Sequence, residues 1–342
     1  MARIRFVSSG VAAALAVVFA AGGVAAGKAA FDDSGSSSGG GAAVGGTKVD
    51  VITKATDSDF WQSMLAGSKQ AGDDFGIDLG LFGPTSETDI EEQVSLVENS
   101  ISRGADAIVL ASNSSTALNG AVDRARDAGI KVITVDNAIT TESEGFIGTD
   151  NVKAGEQAGV RMCELLTDKG QKDGKILHES SASGQQVLVD RFNGFKSGLA
   201  AECPDAEIIQ TSVNDNDLNK AVSQVNDALT ATPDLAGVFA DNNTSGTGAA
   251  KAVAERNAGD RVAVVAFDSD PAEIAGVRDG SIDAIIVQNP FFFGYQGVVE
   301  AAMAAGDSTP PVRLDPGAVV IDKSTVDEAQ FEQLLNPPKT KG

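Results

Sequence analysis

Lys131-Val132-Ile133-Thr134-Val135-Asp136 and Val262-Ala263-Val264-Val265-Ala266-Phe267-Asp268 decide the fold. Each is an apolar, β-branched run too short for an ordinary helix, and each ends on an aspartate. Working outward from the first, strands are expected at Val49–Ile52, Asp78–Phe82 and Ala107–Leu110, separated by helical patterns near Phe60–Phe75, Glu87–Arg103 and Thr116–Ala128. Around the second, strands at Lys175–Leu177, Glu207–Gln210 and Gly237–Phe239 alternate with helices near Val189–Ala201, Leu218–Thr230 and Thr247–Arg256. Strands alternating with helices at this spacing give βαβ units and a parallel sheet. Gly67 and Gly194, Asn113 and Asn242, and Asp136 and Asp268 stand 127, 129 and 132 positions apart. So steady an offset reads as a duplicated architecture, two doubly wound, Rossmann-like α/β lobes.

In such sheets ligands bind beyond the carboxyl ends of the strands, so the loops there carry the functional reading. In the first half they hold Lys54 through Trp61, Gly83-Pro84-Thr85, Ser112-Asn113-Ser114 and Asp136-Asn137. In the second they hold Ser180 through Gln186, Asn214-Asp215-Asn216, Asp241-Asn242-Asn243, Asp268-Ser269 and Gln288-Asn289. Carboxylates, amides and hydroxyls dominate both sets. They suit an uncharged polyhydroxyl ligand, whose hydroxyls both donate and accept while an apolar ring face packs on an aromatic plane. The candidate ligand residues are Ser58, Asp59, Phe60, Trp61, Asn113, Asp136, Asn137, Gln186, Asn216, Asn242, Asp268 and Gln288. Asp136 and Asp268 are the leading acceptors, with turn or cap roles as the alternative. Phe60 and Trp61 stack on ligand or belong to the core.

With 48 acidic and 26 basic residues the chain carries a formal charge of −22, which repels nucleic acid and anionic headgroups. No Gly-x-Gly-x-x-Gly follows the first strand, no Walker loop is present, and no strand-to-helix turn carries a Gly-x-Ser-x-Gly elbow. His178 is the sole histidine and is read as structural, so no catalysis, cofactor or metal is expected.

Arg3 and Arg5 precede an apolar run from Val11 to Ala26, the pattern of a signal peptide or an N-terminal anchor at 1–26. A Gly/Ser-rich tether at 27–46 follows. An exported chain places the body outside the cytoplasm, in the periplasm or at the cell surface. Cys163 and Cys203 are the two cysteines, read either as a disulfide or as two free buried thiols.

Several segments resemble the type I periplasmic solute-binding proteins of sugar ABC transporters, the ribose-binding-protein-like group. They are Asp57-Ser58-Asp59-Phe60-Trp61, Gly104 to Leu110, Lys131 to Asp136, Ile147 to Asn151, Arg191 to Phe195, Val265 to Asp268 and Gln288-Asn289-Pro290, within a match from about Thr47 to Val326. The resemblance implies three strands crossing a hinge, with lobes at 47–150 plus about 289–318 and at 151–288 plus about 319–336. It implies stacking by Phe60 and Trp61, and hydrogen bonds from Ser58, Asp136, Asn137, Asn216, Asn242, Asp268 and Gln288. Arg191 falls at a position expected to be structural. Where the ribose-type pattern carries arginines this chain has Asn137 and Val189, and where it carries an aromatic this chain has Asn216. The ligand implied is therefore another pentose, a hexose, a polyol or a sugar-like signal. The partners implied are an ABC permease and its ATPase, with the chain itself a monomer; a chemoreceptor-type sensor of the same fold is the alternative. A related DNA-binding repressor is not expected, because a basic helix-turn-helix would stand where the export segment does.

Overall fold

The computed structural model describes residues 45–339; the export segment expected at 1–26, and the tether up to residue 44, lie outside them. The first sheet contains β1 (Lys48–Ile52), β2 (Asp78–Phe82), β3 (Ala107–Leu110), β4 (Lys131–Val135), β5 (Gly145–Ile147) and β11 (Arg313–Leu314), in the order β11-β5-β4-β3-β1-β2. Every pair in it is parallel. The second contains β6 (Lys175–Ser180), β7 (Glu207–Val213), β8 (Leu235–Ala240), β9 (Ala263–Phe267), β10 (Ala284–Val287) and β12 (Val319–Asp322), in the order β12-β10-β9-β8-β6-β7. Here β12 alone runs antiparallel, against β10. Both sheets start at an inner strand, step out one place, and return past it. That reversal puts a switch point beside β1 and β6, and two doubly wound lobes result.

Helices cover both faces of each sheet, which is why β3, β8, β9 and β10 are apolar and buried throughout. In the first lobe these are α1 (Asp59–Phe75), α2 (Ile90–Arg103) and α3 (Asn119–Asp127). The second has α4 (Asn151–Asp168), α5 (Gln186–Glu202), α6 (Leu218–Ala231), α7 (Asn243–Glu255), α8 (Pro271–Asp279) and the short α10 (Glu332–Leu335). Helix α9 (Pro290–Ala305) follows β10 of the second sheet yet packs its Phe293, Val298 and Ala301 into the first lobe's core. The chain therefore passes between the lobes three times, at 148–150, 288–289 and 315–318.

Each lobe is held together internally by the same device. A Cβ at Gly67 of α1 would lie 2.0 Å from the Phe291 carbonyl, and one at Gly294 of α9 would lie 1.9 Å from that of Met64. In the second lobe a Cβ at Gly194 of α5 would lie 2.0 Å from the Val152 carbonyl, and one at Gly155 of α4 would lie 2.0 Å from that of Arg191. Glycine is needed at these crossings because backbone presses directly on backbone. In each lobe the helix that follows the first strand thus locks onto the helix that enters from the other lobe, which fixes the N-termini of α1 and α5 relative to the sheets. Cys163 and Cys203 are bonded, tying α4 to the end of α5 with Cα atoms 5.7 Å apart.

Candidate functional site

Strand β4 and strand β9 each deliver an aspartate in the left-handed backbone region, Asp136 at φ 60 and Asp268 at φ 82. Asp accepts that conformation more readily than a bulky residue does. Each is pinned the same way: the Asp136 N–H donates to the Ile147 carbonyl at 2.8 Å and the Asp268 N–H to the Ile286 carbonyl at 2.9 Å, so both lean on the next strand of their sheet. Both carboxylates line one cavity between the lobes, together with Ser58, Phe60, Trp61, Asn242 and Gln288 from the sequence-derived set.

The first lobe's wall is built around Lys54, at the tip of β1. Its Nζ pairs with Asp136 Oδ2 at 2.6 Å and sits 5.7 Å from the centre of the Trp61 ring. The pair is almost fully buried, so neither charge can be removed without stranding the other. Phe60 meets Trp61 edge to face at 4.8 Å, which sets one aromatic plane against the other. Trp61 Nε1–H donates to Glu87 Oε1 at 2.7 Å, and Glu87 also lines the cavity. Ser58 occupies the N-cap of α1, but its hydroxyl does not cap the helix and stays available to the cleft.

In the second lobe Gln288 Nε2 donates to Asp268 Oδ1 at 2.8 Å. Burial pushes the Asp268 carboxyl up, against the pull of the Arg191 guanidinium and the Gln288 hydrogen bond. Arg191 donates from Nε to Asn151 Oδ1 at 2.9 Å and from Nη1 to the Asp241 carbonyl at 2.7 Å, and its guanidinium stacks 4.2 Å from the centre of Phe267. It is structural in those bonds, as expected, and it also faces the cavity. Val187 and Leu188 bring apolar surface from the same turn of α5. Asn242 caps α7 through Oδ1, which accepts from the Ser245 N–H at 2.9 Å. Three helix N-termini, those of α1, α5 and α7, therefore converge on the cavity and set their partial positive charge against its carboxylates.

Five residues of the sequence-derived set stand off the cavity. Asn113 Nδ2 donates to the Lys54 carbonyl at 3.2 Å and Asn137 Nδ2 to the Ser112 carbonyl at 3.1 Å, so both amides brace loops behind the wall. Asn216 Oδ1 accepts from Asn242 Nδ2 at 2.9 Å and acts on the cavity through that residue. Gln186 points outward to Asp190, and Asp59 pairs with Lys339 at the rim. Gln185, next to Gln186, is the one turned inward, where its Oε1 lies 3.4 Å from Lys54 Nζ across the cleft. His178 is satisfied inside the second lobe by Thr211 and Asp241, stacked on Phe192. Sequence reasoning placed Lys54, Ser181, Gln185 and Asn243 in the right loops without singling them out. It missed Glu87, Val187 and Leu188, and it gave Arg191 no cavity role. For α5 a signal existed: 187, 188 and 191 share one helical face.

Comparison with known proteins agrees with this architecture. Residues 49–308 match the family model described as periplasmic binding protein domain. The ribose import binding protein of Escherichia coli (strain K12) is 28% identical over 254 residues, spanning 74% of this chain and 83% of that protein. The D-allose-binding periplasmic protein of the same organism is 26% identical, spanning 72% and 81%. A carbohydrate transporter solute-binding protein from Agrobacterium radiobacter, solved with D-arabinose, superposes with a TM-score of 0.83 at 28% identity, covering 85% of this chain and 99% of that one. An ABC transporter solute-binding protein from Agrobacterium vitis, solved with D-fucose, gives 0.79 at 29% identity, covering 84% and 99%. With two doubly wound lobes, a polar cleft at their strand tips and a family match over most of its length, the chain belongs to the periplasmic binding protein domain family.

Proposed function

We propose that the chain is an extracytoplasmic substrate-binding protein of an ABC importer, taking a monosaccharide or related polyol between its lobes and delivering it to a membrane permease and its ATPase. The observation that carries this reading is that Asp136 and Asp268, one from each lobe, line a single cavity with the Phe60–Trp61 pair. A sugar there offers hydroxyls to both carboxylates and an apolar face to an aromatic plane. The lobes are 47–150 plus about 289–318 and 151–288 plus about 319–336, and the three crossings form the hinge. The cavity measures about 40 Å³, against the roughly 300–1,000 Å³ usual for a small-molecule site. Ligand therefore enters as the lobes part, and closure buries it. Binding and release at the permease need no chemical step.

The test is a thermal-shift screen of the chain against monosaccharides and alditols, followed by calorimetry. A ligand that binds the folded chain raises the melting temperature by mass action, and Trp61 emission changes on the same titration. A panel in which no sugar or polyol moves the melting temperature overturns the reading.

A further inference from the structure

Glu87 is a partly buried carboxyl group in the wall of the cavity. It lies between β2 and α2, in a stretch whose periodicity reads as helix. Asp89 instead starts α2, its Oδ1 accepting from the Glu92 N–H at 3.0 Å. The residues before it stay irregular, held by the Thr88 N–H on Ser86 Oγ at 3.3 Å and the Asp89 N–H on the Ser86 carbonyl at 3.1 Å. That short loop carries Glu87 into the cavity wall. Its Oε1 is taken by Trp61 Nε1–H, and its Oε2 accepts no hydrogen bond among the described residues. The charged groups facing it are Lys54 from the tip of β1, Asp136 from β4 and Asp268 from β9. Burial pushes the carboxyl up, Asp136 and Asp268 push it the same way, and Lys54 with the Trp61 bond opposes them. Anchoring an indole N–H needs only a neutral acceptor. A carboxyl in the cavity wall with one oxygen fixed and the other without a hydrogen bond among the described residues has an acceptor to spare.

We propose that Glu87 is a ligand-reading residue of the cleft: Oε1 fixes the plane of Trp61, and Oε2 meets one hydroxyl of the sugar packed on that plane. This rests on the sugar-binding reading above. The ligand oxygen read by Glu87 sits at the edge of the ring nearest the Trp61 indole nitrogen, so sugars lacking a hydroxyl there are discriminated against. A site built to pair a hydroxyl rejects the deoxy analogue because its own polar group is then left unpaired.

The experiment is calorimetry on the full chain, unaltered and with Glu87→Ala, Glu87→Gln or Asp268→Asn. The ligands are the tightest sugar from a panel including D-arabinose, D-fucose, D-ribose and D-allose, and its monodeoxy analogues. Glu87→Ala is expected to weaken the parent sugar at least tenfold. One monodeoxy analogue is expected to lose affinity for the unaltered chain and to lose clearly less than the parent sugar on Glu87→Ala, the remainder being the Trp61-positioning share common to all ligands. Glu87→Gln keeps an acceptor for Trp61, so the folded cleft is retained if the alanine variant does not fold, and the coupling to that analogue still changes. The proposal is overturned if Glu87→Ala weakens every analogue by the same factor, which is Trp61 positioning alone, or weakens none while Asp268→Asn does. Should no sugar bind the unaltered chain, the sugar reading itself fails and takes this proposal with it.

Discussion

Replacing Asp268 by Asn tests the heart of the cleft without rebuilding it. Alanine would be a poor probe, because at φ 82 the backbone is left-handed and alanine carries a steric penalty there that asparagine largely avoids. Asn keeps the shape and, with its oxygen toward Gln288, keeps an acceptor for the Nε2–H now bonded at 2.8 Å. The ligand-free chain therefore loses little. What changes is the second position, where an acceptor becomes a donor facing the sugar. Bonds to a charged or partly charged carboxyl are worth about 1.5–3 kcal/mol each. At about 1.4 kcal/mol per tenfold, Asp268→Asn is expected to weaken sugar binding by about 10- to 150-fold. Calorimetry measures the affinity, and thermal unfolding without ligand measures the stability. An affinity within twofold of the unaltered chain, or a melting temperature that falls as far as the affinity does, would refute the assignment of Asp268 to the ligand.

Converting Cys163 and Cys203 together to alanine removes a cross-link between positions 40 residues apart, at an expected cost of about 3–4 kcal/mol. Sugar affinity should be unchanged, since the bond lies at the far end of α5, about 25 Å along the helix from Gln185; calorimetry showing a large loss would contradict that separation. Burial pushes Glu179 up to about 7, and among the described residues its side chain accepts one hydrogen bond, from Asn214 Nδ2 at 3.0 Å. The folded chain thus holds this proton more tightly than the unfolded chain, so stability falls as pH rises from the ordinary glutamate range to about 7, with the penalty complete above it. Glu179→Gln should flatten that slope and gain about 3 kcal/mol at pH 8 relative to pH 5, read by urea unfolding at both. Gly194→Ala drives a Cβ to 2.0 Å from the Val152 carbonyl, so α4 and α5 must separate. A loss of about 1–3 kcal/mol in stability is expected, together with weaker binding as Arg191 moves; unchanged unfolding would show the crossing to be looser than drawn.

The fold was legible because it is written twice. Asp136 and Asp268 end strands whose β-branched runs are unambiguous, and the nearly constant offset between the halves marks them in the sequence alone. Helices α4 and α8 were not drawn from periodicity, although the resemblance reached Asn151 at the start of α4. Which loop residue faces inward was not legible, since a loop has no period. Asn113, Asn137 and Asn242 look alike in sequence, yet the first two brace neighbouring carbonyls while the third meets the cavity. Gln185 is the extended N-cap of α5 and Gln186 its first helical residue, so the two side chains leave the backbone in different directions although they are adjacent in sequence. Glu87 was hidden by a boundary, because the apolar pattern of α2 extends over residues that the Asp89 cap keeps out of the helix.

The contacts that already span the cleft bear on how closure is driven. Lys54 reaches Gln185 at 3.4 Å, which is long for a hydrogen bond to an ammonium, and Lys339 pairs with Asp59 at a partly exposed rim where an ion pair contributes about 0–1 kcal/mol. Neither is strong enough to lock the lobes against thermal opening. The groups with unspent capacity are instead inside: the Ser58 hydroxyl, Gln288 Oε1 and the carboxylates of both strand ends. On the proposed reading, a sugar bonded to Asp136 and Asp268 together has partners on both lobes only when they are closed, and on one lobe when they are open. That difference in affinity is the quantity that shifts the population. A ligand held by one aspartate alone would bind without closing the protein, so its affinity would fall with Asp136→Asn or with Asp268→Asn but not with both.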